Sequence, residues 1–141
     1  MDNEYQNVVF RLGKEHYGLN IMIVQEIIRM PETIVMPDSQ YYITGVANLR
    51  GDIIPIVDLK RRFSLPDMTE GSEEDKRVIV ALLNSAKIGL MVDRVDEVCK
   101  FKESDIRPCD TATTDVQKEF IKGIVDIGNR MIILLDLSHA L

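Results

Sequence analysis

The chain repeats itself, and that repetition limits its folds more than any other feature of the sequence. At an offset of 71, Val9, Leu12, Gly18, Leu19, Val24, Glu26, Glu32 and Pro37 fall on Val80, Leu83, Gly89, Leu90, Val95, Glu97, Glu103 and Pro108. The match resumes at an offset of 78, where Gly45 to Leu59 lies over Gly123 to Leu137 with its apolar pattern nearly intact. A unit of roughly 50 residues used twice predicts a fold of two similar parts related by a pseudo-two-fold. The expected limits are 8–59 for the first copy, 60–77 for the join and 78–137 for the second, within a single domain over residues 1–141.

Each copy reads as strand. Val8 to Leu12, a polar turn at Gly13 to His16, and Tyr17 to Ile21 form short β-rich runs split by turn residues, the pattern of hairpins. Gly51-Asp52 and Gly128-Asn129 each interrupt two apolar runs, as tight turns do. Ile21 to Met30 fits a helical spacing as well, but its β-branched content favours strand. Five strands per copy are too few for a sandwich, so each is expected to close into a small barrel without unpaired edges. Lys60 to Leu65 is expected to form a short helix stopped by Pro66, with its basic residues on a solvated face.

Composition removes whole classes of function. The net charge is −6 and only 6% of residues are aromatic, which opposes a nucleic-acid surface. The longest apolar run, Val78 to Leu83, is far short of a membrane span, and the first residues lack a signal-peptide layout, so the chain reads as cytoplasmic. Cys99 and Cys109 form no CxxC and read as reduced thiols. His16 and His139 lie in expected surface segments without a nucleophile elbow, and no glycine-rich phosphate loop occurs. Glu70 to Asp75 reads as a solvated loop without calcium-loop spacing. Asp93, Asp96 and Glu97 are read as solvent-facing strand residues rather than an acid/base pair.

One polar group stands out. Arg50 interrupts Gly-Val-Ala-Asn-Leu-Arg-Gly, whereas the second copy has Gly128 at the matching position. A guanidinium kept in one copy only points to a one-sided use such as an interface contact, for which arginine's planar fork is suited. The structural alternative is an ion pair with Asp52 or Asp58.

Gly45 to Leu59, with its Asn-Leu-Arg-Gly and Pro-Ile-Val-Asp-Leu elements, closely resembles the signature of the CheW family of chemotaxis coupling proteins. Tyr17 to Ile21 leading into Val24-Gln25-Glu26-Ile27, Val92 to Val95, and Ile106-Arg107-Pro108 extend the likeness over about Val8 to Leu137. The resemblance implies an all-β fold of two five-stranded SH3-like barrels with short helical connections and a hydrophobic seam between them. It implies a non-enzymatic adaptor, monomeric in isolation, without cofactor or metal and without direct membrane insertion. Its implied partners are the regulatory domain of the histidine kinase CheA and the cytoplasmic tip of chemoreceptors, which would recruit it to membrane-bound arrays. On the matching positions, Arg50 and Glu26 are implied in receptor binding, and Val24 and Gly45 in kinase binding. A backbone bend is the plain alternative for Gly45. The sequence ends at Ser138 to Leu141, about where many members continue into a C-terminal helix. The same domain occurs in CheA and in CheV-type adaptors, but 141 residues leave no room for a kinase or receiver domain beside it.

Overall fold

Ten strands form two five-stranded sheets in a computed structural model that describes residues 3–66, 71–110 and 114–138. They are β1 (Glu4–Leu12), β2 (Glu15–Asn20), β3 (Val24–Arg29), β4 (Ile43–Leu49), β5 (Asp52–Asp58), β6 (Arg77–Leu83), β7 (Ala86–Val92), β8 (Arg94–Lys102), β9 (Ile121–Ile127) and β10 (Arg130–Leu135). A one-turn helix α1 (Leu59–Arg62) follows β5, its first amides held by the Asp58 carboxylate. The chain is thus all-β with short helical connections, as its periodicity predicts.

The first sheet runs β8-β1-β2-β10-β9 and the second β3-β6-β7-β5-β4. Replacing every strand by its counterpart five places along the chain turns one order into the other, so the duplication in sequence is a pseudo-two-fold in structure. Residues 8–59 and 78–137 nevertheless do not form a sheet each, which corrects that expectation. Each sheet takes the leading hairpin of one copy and the last three strands of the other. The 3-10 turn Ile21–Ile23 carries the chain from the first sheet into the second, and the break at Asp93 between β7 and β8 carries it back. A duplicated sequence presents the same apolar faces to its own copy and to the other, so its pattern does not distinguish the two pairings.

The sheets are SH3-like but do not close as continuous barrels. In the second, edge strand β4 meets the segment leaving β3 only at Ile34 and Val46, through two 2.8 Å backbone bonds. In the first, Arg107 and Ile124 do the same for β8 and β9. Pro31 and Pro108 beside these segments have no N–H to extend the ladder.

Three apolar cores result. Val9, Val125 and Ile132 fill the first sheet, and Ala47, Ile54, Ile56 and Val80 fill the second. The largest core lies between them, where Phe10, Tyr17, Leu59, Phe63, Ile79 and Ile133 make the expected seam. Two charges are buried with it. Lys60 Nζ lies 2.9 Å from Asp93 Oδ1, their side chains 8% and 2% exposed, and the other Asp93 oxygen accepts the Gly13 amide at 2.8 Å. Lys60 and Asp93 were both expected in solvent. A strand break and a one-turn helix bring them into the seam instead, where each neutralises the other. Arg62 also leaves the solvated face, stacking over Tyr42 and Phe120.

Candidate functional site

Arg50 and Glu26 meet at one end of the second sheet. Arg50 is the first residue of the two-residue turn between β4 and β5, with φ of 54° followed by Gly51 at 90°. This is the doubly left-handed hairpin turn that matches strand twist. The turn is therefore Arg50-Gly51, one residue earlier than the sequence suggests, and the Asn48 side chain accepts the Gly51 amide. Arg50 Nη1 and Nη2 donate to Glu26 Oε1 and Oε2 at 3.1 and 2.7 Å. The arginine thus pairs with neither Asp52 nor Asp58. Asp52 is bonded to Lys87 at 3.0 Å, while Asp58 caps α1.

The pair spans a cleft of about 110 Å³ lined by Leu49, Ile54 and Val80 as well as its own two members. The Arg50 side chain is 80% exposed and that of Glu26 26%. Glu26 thus holds the guanidinium by both terminal nitrogens while most of the Arg50 side chain stays exposed.

The two residues implied in kinase binding lie on different strands. Val24 opens β3 and packs, half-buried, on the seam core. Gly45 is buried on β4, at the opposite edge of that sheet's order. A Cβ at Gly45 would lie 2.4 Å from the Ile34 carbonyl oxygen, and the ladder slips a residue between Ile43 and Gly45. Gly45 is thus the point of close approach that lets the bridging segment reach β4. Gly123 holds the same place against Ile106 and Arg107. Beside the Arg50 and Glu26 charges the outer face of β4 and β5 carries exposed apolar side chains: Ile34 is 66% exposed and Ile53 63%, and the cross-strand pairs place them on the same face as Val46 and Pro55.

At the matching end of the first sheet, Glu97 replaces Glu26 and is bonded by Arg130, which stands over Asp52 in the repeat. Asp96, its side chain only 10% exposed, is surrounded by Arg11 at 3.0 Å, His16 and Arg94 at 3.4 Å, and Arg130 at 3.8 Å. Sequence reasoning missed this cluster. The signal was available in the 78-residue offset, which exchanges an aspartate for an arginine at position 130. His16, expected on the surface, is partly buried, and its Nε2 is shielded without a hydrogen bond. Desolvation, followed by the Arg11 charge, lowers its pKa against the opposing pull of Asp96.

The remaining titratable groups serve the fold. Burial raises the Tyr17 phenol, which bonds Glu15 and contacts Thr114, and burial raises the Cys99 thiol. Arg107, bonded through two nitrogens to Asp126, lowers that carboxyl. Among the described residues no group of three or more His, Cys, Asp or Glu is placed to hold a metal ion, and no helix is long and apolar enough to cross a membrane. His139 lies outside the described residues, as does Glu70 of the acidic loop.

Paired SH3-like sheets thus carry an ion-paired arginine beside exposed apolar side chains. The sequence matches the CheW-like domain family over residues 6–141. Its relatives include the chemotaxis protein CheW of Treponema pallidum (strain Nichols), 33% identical over 96% of this chain and 81% of that protein. CheW of Rhizobium meliloti (strain 1021) is 35% identical over 93% and 83%. The crystal structure of the scaffolding protein TtCheW from Thermoanaerobacter tengcongensis superposes with a TM-score of 0.88 at 35% identity, covering 98% of this chain and 88% of that one. The chain belongs to the CheW-like family.

Proposed function

We propose that this protein is a non-catalytic adaptor that joins the cytoplasmic tip of chemoreceptors to the regulatory domain of the histidine kinase CheA, acting in the cytoplasm at receptor arrays. The observation that carries the reading is the outward-facing Arg50, held by Glu26 at the mouth of the second sheet. Arg50 is the receptor contact, and Glu26 fixes its rotamer before binding, which reduces the entropy lost on docking. Family membership and the likeness to a protein described as a scaffold support this reading.

The kinase takes the neighbouring apolar face. Ile34 and Ile53 supply exposed area of the kind that forms the centre of an interface. Val24 and Gly45 act from beneath, Val24 by setting the β3 edge and Gly45 by admitting the Ile34 segment to β4. Val24→Met overfills this packing at a cost of about 1 to 3 kcal/mol and is expected to weaken kinase binding. Unchanged affinity in that variant would remove Val24 from the coupling surface.

The receptor contact is tested by titrating a chemoreceptor hairpin fragment into the wild type and Arg50→Ala. A charge-assisted contact is worth about 1.5 to 3 kcal/mol. Loss of about 2 kcal/mol weakens binding roughly 30-fold. Equal affinity for the two proteins would remove Arg50 from the receptor contact.

A further inference from the structure

The cluster around Asp96 has no equivalent in the second sheet. The 71-residue offset places Leu82 over Arg11, Lys87 over His16, Ile23 over Arg94 and Gln25 over Asp96. The first sheet has thus gathered three arginines and a histidine from both copies, where the second has Leu82, Lys87, Ile23 and, opposite Arg130, Asp52, in a chain whose net charge is −6.

Its geometry differs from that of a self-neutralised network. Three guanidinium groups face two carboxylates, Asp96 and Glu97, and Arg130 spans both of these. Arg11 and Arg94 approach Asp96 through Nε, and their terminal nitrogens have no further partner among the described residues. Asp75, within electrostatic reach of Arg94, is already bonded by the Ser72 amide and also sits near Arg77. A half-buried carboxylate therefore holds two guanidinium groups by their inner edges and leaves their outer forks free, the arrangement that binds carboxylates with two parallel bonds.

We infer that this end of the first sheet is a docking surface for an acidic segment of a protein partner, taken up by the outer forks of Arg11 and Arg94. The surface is separate from the Arg50 site and stands without the adaptor reading. A phosphate backbone fits less well, because two free guanidinium groups bordered by Glu97 on an acidic protein cannot track a run of phosphates.

The test is a titration of the full chain with a hexaglutamate peptide at low salt, read by amide chemical shifts. The expected result is saturable shifts centred on Arg11, His16, Arg94 and Arg130 that disappear at high ionic strength. Arg94→Gln, which gives up no hydrogen bond within the protein, is expected to weaken the peptide about tenfold or more. Arg11→Gln loses its bond to Asp96, so its melting curve is taken alongside, and Arg94→Gln decides if that variant unfolds. Lys87→Gln, at the matching place in the second sheet, is expected to bind the peptide as the wild type does. Absence of shifts, shifts that ignore Arg94→Gln, or tighter binding of inorganic phosphate or a single-stranded oligonucleotide at these residues would overturn the inference.

Discussion

Arg50 and Glu26 are joined by two hydrogen bonds, 3.1 and 2.7 Å long, across a sequence separation of 24 residues. Two residues implied separately in one role are thus a single unit, a guanidinium on a left-handed turn and the carboxylate that aims it. An exposed pair of this kind contributes about 0 to 1 kcal/mol to stability. Holding a non-glycine residue at φ of 54° costs about 1 to 2 kcal/mol. Arg50→Gly is therefore expected to melt at or above the wild-type temperature while losing receptor affinity, and Arg50→Ala to melt close to it. A melting temperature far below the wild type in Arg50→Gly would make the arginine a structural residue.

Gly45→Ala is expected to destabilise by about 1 to 3 kcal/mol, because the added methyl meets backbone at Ile34 rather than a side chain that can move. Gly51→Ala has open space around its Cβ and pays only for its φ of 90°. Denaturant melts of the two variants should therefore differ, with Gly45→Ala the weaker. The reverse order would show that the Ile34 bridge yields easily.

The Lys60–Asp93 pair locks α1 to the break between β7 and β8 inside the seam. Removing one partner of a buried pair costs about 3 to 5 kcal/mol, because a charge is left behind. Lys60→Met is expected to fall in that range. Lys60→Met with Asp93→Asn should recover part of the loss, since the asparagine oxygen can still accept the Gly13 amide. A double variant no more stable than Lys60→Met alone would contradict a coupled pair.

His16 gives the fold a pH dependence of defined sign. Its folded pKa lies below the ordinary histidine value of about 6.5, so the unfolded chain binds the proton first as the pH falls. The stability that His16 contributes is complete above about pH 6.5 and is lost as the pH drops through its lowered folded value. Melting temperature measured against pH should fall on the acid side of 6.5, and His16→Gln should flatten that part of the curve. An unchanged curve in the variant would assign the slope to other groups.

The duplication and the strand content were legible because they follow from apolar periodicity, which a repeated sequence displays twice, whereas the seam was expected only from the family resemblance. The exchange of strands between sheets was not legible, since both pairings satisfy the same pattern. Neighbours far apart in sequence were hidden for a related reason. Lys60 and Asp93 read as surface charges until a strand break brings them together, and Arg50 offered two nearby aspartates before its real partner across the cleft. The Asp96 cluster lies on four strands, β1, β2, β8 and β10, so no local spacing announces it.

In the proposed function one chain holds a receptor and a kinase at once through separate surfaces. Size-exclusion chromatography of the protein with a chemoreceptor hairpin fragment and the regulatory domain of CheA measures this directly. The expected result is a ternary complex that Arg50→Ala depletes of receptor while the kinase domain stays bound. Mutual exclusion of the two partners, or loss of both together in a folded Arg50→Ala protein, would contradict it.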